Sequence, residues 1–239
     1  RRMRATPVTL KLTESALRRE DKGAKGYYML VDVAGRATYF INTMTAWDER
    51  SQTSTVTGHM AEKFPWSDID SLGKILLDNA MQDARMLERR DKEEGEKETA
   101  ALKAMQGPAT VEATEETKEV AGLTCKKYTI SQGEHVKGYA WVAQDVKLKV
   151  PLGRMLAYSV NENAGGLPAL VQLDELEGLP VDVSLEFPVL AGRRQGAMMS
   201  FVIDKVGEAN IDAAEVKVPG RARVEEPLSE RLRSRGRRD

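Results

Sequence analysis

Leu179-Pro180-Val181-Asp182-Val183-Ser184-Leu185-Glu186-Phe187 carries an apolar residue at every second position, the cleanest period of two in the chain. Successive side chains of a strand project to opposite sides, so this spacing predicts a β-strand with one buried and one wet face. Downstream, Gly192-Arg193-Arg194-Gln195-Gly196 reads as a turn into Met198–Val206, a nearly continuous apolar run expected to be covered on both faces. Upstream, Leu152, Met155, Leu156 and Tyr158 fit a short helix within 151–164 that Gly165-Gly166 ends. Before it, 110–118, 124–131 and 136–144 read as strands, with turn chemistry at Ala121-Gly122 and Gln132-Gly133.

The first fifty residues have the same strand pattern. Val8, Leu10 and Leu12 alternate with Thr9, Lys11 and Thr13; the turn-prone Asp21-Lys22-Gly23 precedes a strand over 27–33, and Gly35-Arg36 precedes another over 38–42. Such short, glycine-bearing spacers favour antiparallel pairing, because a parallel crossover needs a dozen or more residues. At Ser67-Asp68-Ile69-Asp70, a capping box with aspartate in place of glutamate, the period changes: Ile69, Leu72, Leu76, Ala80 and Leu87 predict a helix over 68–90. Residues 88–98 are almost all charged, with Gly95 interrupting, and read as a solvated extension or linker that Gly107-Pro108 closes.

These elements predict an α+β fold class. One domain over 8–219 is expected to hold a single curved antiparallel sheet, an incomplete barrel, with a helical insertion at 68–106 and a short second helix across its concavity. That geometry leaves a pocket or groove. Residues 1–7 and the arginine-rich 220–239 are expected to be flexible ends.

Composition narrows the function classes. At 239 residues with 41% hydrophobic content, the chain forms a sizeable core without staples. A formal charge of −1 creates no overall field toward nucleic acid or an acidic bilayer. Cys125 is the single cysteine, which excludes an internal disulfide and a cysteine-built zinc site. No stretch reaches the roughly 20 apolar residues of a membrane helix, so no transmembrane segment is expected. A start at Arg1 without an initiator methionine is expected of a processed or trimmed chain.

The segment Glu116-Thr117-Lys118-Glu119-Val120-Ala121-Gly122-Leu123-Thr124-Cys125-Lys126-Lys127-Tyr128 resembles a strand-turn-strand of an uncharacterised bacterial envelope domain family in the LolA-like lipoprotein-carrier superfamily. Trp141-Val142-Ala143-Gln144-Asp145, Leu176-Glu177-Gly178-Leu179-Pro180-Val181 and Val216-Lys217-Val218-Pro219 follow in the family's order, and the insertion around Met81, Met86 and Met105 resembles its middle segment. The resemblance spans about residues 8–219. It implies an incomplete barrel with helices over its open side, and a periplasmic or outer-membrane-associated location. Relatives of that superfamily hold acyl chains in the cavity, so a lipid or lipidated partner is what the resemblance implies.

The residues themselves give little support to catalysis. His59 and His135 lie on different segments without a cysteine or histidine at metal-ligand spacing. Cys125 and His135 could form a nucleophile and base, but a lone cysteine is more simply packing. No nucleophile elbow, phosphate loop or dinucleotide fingerprint occurs, so neither catalytic residues nor a cofactor is expected. Met155, Tyr158, Met198, Met199 and Phe201 are the candidate lining of an apolar ligand cavity, although core packing accounts for the same residues. The expectation is a non-enzymatic envelope binding protein. The alternative is an interaction subunit docking an envelope protein through its charged helix and arginine tail, and nucleic-acid binding through the terminal arginines ranks behind both.

Overall fold

The computed structural model describes residues 7–24, 26–104, 107–133, 136–147, 151–153, 156, 169, 171–186 and 198–225. In chain order they form β1 (Val8–Leu12), β2 (Ala16–Asp21), β3 (Tyr27–Asp32), β4 (Ala37–Asp48) and β5 (Thr53–Pro65), then α1 (Trp66–Glu88) and α2 (Lys92–Ala104). There follow β6 (Ala109–Val120), β7 (Leu123–Gln132), β8 (Val136–Ala143), a 3-10 turn (Gln172–Glu175), β9 (Leu179–Glu186), β10 (Met198–Val202) and β11 (Arg223–Glu225). The chain divides into two compact units, residues 1–68 with 209–239 and residues 69–208.

The first unit is a meander, β1-β2-β3-β4-β5, antiparallel throughout, with β11 added parallel to β5 at Arg223↔Met60. Its register puts Ala16, Tyr28, Leu30, Ile41 and Ala61 on one face, all buried, and the chain between 209 and 222 lies over them through Val216, Ile211, Val218 and Ala222. The opposite face carries Leu17, Met29 and Val31, also buried, with Phe40 edge-on to Phe64 at 5.2 Å. Both faces of β3 are thus covered.

Polar contacts tie the covering segment down. The Lys11 ammonium is ion-paired to the Glu215 carboxylate, and the Arg18 guanidinium donates to the Glu215 carbonyl at 2.9 Å, pairs with Glu20 at 2.7 Å and lies 3.8 Å from the Tyr28 ring centroid. The hydrogen bond from Lys11, reinforced by its charge, holds the Glu215 carboxyl below its ordinary 4.5. A carboxylate with a depressed folded-state pKa contributes stability above its unfolded value and loses it as pH falls through the folded one. Protection of the amides over 209–222 against hydrogen exchange is therefore expected to fall as the pH drops below the carboxyl's ordinary 4.5, ahead of protection in β3. Equal loss in both would contradict the assignment.

The second unit holds α1 from Ile69 onward, α2 and the sheet β10-β9-β8-β7-β6, antiparallel throughout. Ala121 and Gly122, both at positive φ (53° and 79°), form the two-residue β6–β7 hairpin turn that the right-handed strand twist favours. Gly95 lies inside α2, not at a break: a Cβ there would collide with the Glu88 backbone, so glycine allows α2 to fold closely back on the end of α1. Ala84, Ala101 and Leu102 are buried along these helices.

Several expectations need correcting. The strands form two sheets, neither closed into a barrel among the described residues, where one curved sheet over 8–219 was expected. Alternation shows that a strand has a buried side but not which neighbour it pairs with, and in the chain two helices separate β5 from β6. The run at 198–206 is not covered on both faces: β10 is an edge strand among the described residues, and Met198 is 51% and Val202 48% exposed. Two pieces of the segments expected to be flexible are in place: the Pro7 carbonyl accepts from the Lys22 N–H at 2.9 Å, and Arg223–Glu225 join the sheet. Most of the helix expected at 151–164 and the turn at 192–196 lie outside the described residues, as do 1–6 and 226–239.

Candidate functional site

Register decides where the candidate ligand-lining residues stand. Met199 pairs with Leu185 and Phe201 with Val183, so both partly buried side chains extend the face formed by the fully buried Val183, Leu185 and Ala140. Met198, opposite Glu186, projects from the other face with Val202. Met155 and Tyr158 lie outside the described residues. One strand edge thus brings Met199 and Phe201 together and separates Met198 from them.

On the Met198 side, cross-strand pairing aligns Asp182, Trp141 and Lys127 across three strands. Lys118 Nζ stands 4.3 Å and Lys127 Nζ 5.8 Å from the Trp141 ring centroid, and these ammoniums bridge to Asp182 (3.0 Å) and Glu116 (2.7 Å). Their aliphatic stems cover an indole that would otherwise be wet, leaving Trp141 only 8% exposed. The charges are matched, so this cluster stabilises the sheet face. The sequence signal was present in the Lys118 and Lys127 positions of the hairpin, but their meeting at Trp141 depended on the register of β7 with β8.

Cys125 shares that face at its end, paired with Ala143, and is fully buried. Its thiol donates to the Leu123 carbonyl at 3.3 Å, and burial pushes its pKa above the ordinary 9.0. The thiolate is the nucleophile, so this cysteine is expected to resist a chromogenic disulfide reagent at neutral pH and to react once the chain is unfolded. Rapid reaction of the native protein would overturn that reading. His135, its proposed base, lies outside the described residues, while His59 on β5 is within 3.3 Å of the Thr43 hydroxyl through Nδ1. Among the described residues no three His, Cys, Asp or Glu side chains converge as a metal site, and no helix is long and apolar enough to cross a membrane.

The charged helix proposed as a docking element pairs its charges within itself, Lys92 with Glu96 and Lys97 with Glu93 at i, i+4 spacing. Such pairs support a solvated helix. More distinctive is the outer half of the β4–β5 hairpin, which extends past the end of β3: Trp47 is 64% exposed, Val56 56% and Met44 40%. Trp47 was not among the candidate residues. Its only sequence signal was an aromatic residue at the end of an uncharged, threonine-bearing stretch, directly before Asp48-Glu49-Arg50.

Comparison with protein-family models, with curated proteins and with solved structures gave no match.

Proposed function

We propose that the chain is a non-enzymatic, LolA-like binding protein of the cell envelope that accommodates a lipid or another apolar ligand against the second unit's sheet. The observation that carries this reading is the pair Met199 and Phe201. They stand half-buried on an edge strand and continue a face whose neighbours, Val183 and Leu185, are fully buried. An apolar chain laid along that edge would remove both side chains from water, and the flexible Met199 adapts to ligands of different shape. The envelope location follows from the family resemblance of the hairpin at 116–128 and the closing Val216-Lys217-Val218-Pro219.

Lipid extraction and mass spectrometry of the purified protein test it, together with titration of a fluorescent fatty acid. Uptake that falls at least tenfold in Phe201→Asp and is unaltered in Val202→Asp, on the opposite face of β10, is the expected result. Protein that is consistently empty and takes up no fatty acid would sink it.

A further inference from the structure

Residues 43–58 form a two-stranded ribbon with no further strand beside it among the described residues. An isolated hairpin is marginal in water, and an unpaired strand edge is a template for another strand. The last bond between β4 and the β3 side runs from the Thr43 N–H to the Gly26 carbonyl, at 2.6 Å. Alternate residues of a strand direct their backbone groups to the same side, so Thr45 and Trp47 present theirs to the side that β3 has left. Met44 faces β5, where the Thr57 hydroxyl donates to its carbonyl at 3.3 Å.

The two edges of the ribbon differ. The register shift opposite Met44/Thr45 inserts Thr57 as an extra residue in β5, a bulge that spoils that edge for pairing. The β4 edge keeps its regular pleat. Neither a charge nor a proline guards 43–47, the devices that usually blunt an exposed edge.

We propose that this edge pairs antiparallel with the same edge of a second copy of the chain, about a two-fold axis at Ala46. In that register Thr45 of each copy lies opposite Trp47 of the other, and the free N–H and C=O groups of both residues are satisfied together. Asp48, the acidic residue that follows, falls opposite Met44, and Glu49 lies beyond the paired residues because Gly26 holds the place beside Thr43, so no like charges meet, and the chain's formal charge of −1 adds little general repulsion. An uncharged edge offers nothing to recruit a highly charged partner, whereas its own copy matches it in register, polarity and length. About five residues a side bury far less than the ~1,000 Å² of a stable interface, so the association is weak and concentration-dependent.

Sedimentation velocity from micromolar to millimolar protein tests this. A monomer–dimer equilibrium is expected for the unaltered chain. Thr45→Pro deletes an N–H from the free edge without touching the β4–β5 ladder, and is expected to weaken dimerisation at least tenfold at an unchanged unfolding midpoint. In a Cys125→Ser background, Ala46→Cys is expected to give a covalent dimer on mild oxidation, because the axis brings two equivalent Cα atoms to about 4.5 Å. A chain that stays monomeric at every concentration overturns the proposal and leaves the edge to an extended segment of another protein. So does a dimer that persists in Thr45→Pro, or one in which Ala46→Cys does not cross-link.

Discussion

Replacing Gly138 with alanine is expected to lower the unfolding midpoint of the second unit by roughly 10 °C, a loss of about 3 kcal/mol. Gly138 sits in the middle of β8, between Ile130 on β7 and Leu185 on β9. A Cβ at this position would collide with the Ser184 carbonyl oxygen and lie 2.7 Å from Leu185 Cδ2 and 3.0 Å from Leu185 Cα. Two opposing effects have to be weighed. Alanine has less freedom than glycine in the unfolded chain and by that route stabilises by about 0.4–1 kcal/mol. The clash, however, is largely with backbone of a central, hydrogen-bonded strand, which cannot swing aside as the end of a side chain can, so overpacking at the upper end of its usual range decides the sign. Gly207→Ala is the control: nothing lies within 4 Å of its Cβ, and there the entropic gain is expected alone. Thermal denaturation followed by circular dichroism distinguishes the two, and a Gly138→Ala protein as stable as the unaltered chain would show that β8 and β9 are not this close.

Gly138 also shows where the sequence stops being informative. It occurs inside a stretch that reads plainly as a strand, and nothing in Val136–Ala143 says which strand will press against it. Local signals did their part: the alternation of Leu179, Val181, Val183 and Leu185 appears as four buried residues on β9, and the Ala121-Gly122 turn sits where its φ angles require it. The helix expected at 68–90 appears as α1 at Trp66–Glu88, because apolar spacing and a first-turn acid are properties of the segment itself. Long-range properties were hidden. Whether eleven strands make one sheet or two depends on ladders between distant segments, and the split of Met198 from Met199 and Phe201 depends on a register that a one-residue slip would reverse. Gly95 was read as an interruption for the same reason. Its role is set by Glu88 across a helical turn-back, beyond what propensity within α2 can express.

Val216→Asp is expected to destabilise the first unit by about 3 kcal/mol or more and to free the chain from 209 onward, including β11. Val216 is 7% exposed and packs in the cluster of Ala16, Tyr28, Leu30, Ile41 and Ala61. The segment around it is irregular backbone, so it contributes few ladder bonds of its own before β11 and depends on this one deep anchor, with Ile211, Val218 and Ala222 less buried beside it. A carboxylate placed there loses its hydration, and the neighbouring cations do not compensate: Lys11 is engaged with Glu215 and Glu20, and Arg18 with Glu20 and the Glu215 carbonyl. Moving either to a new acid would break an existing pair, so the charge remains costly. Lys217→Asp makes the opposite case, since that neighbour is exposed and its replacement is expected to stay within about 0.5 kcal/mol. Limited proteolysis reads the difference directly: cleavage between 209 and 222 should appear in native Val216→Asp and not in Lys217→Asp. Equal resistance of the two variants would mean that the segment is held by its ion pairs and not by burial, in which case Glu215→Ala would have to release it instead.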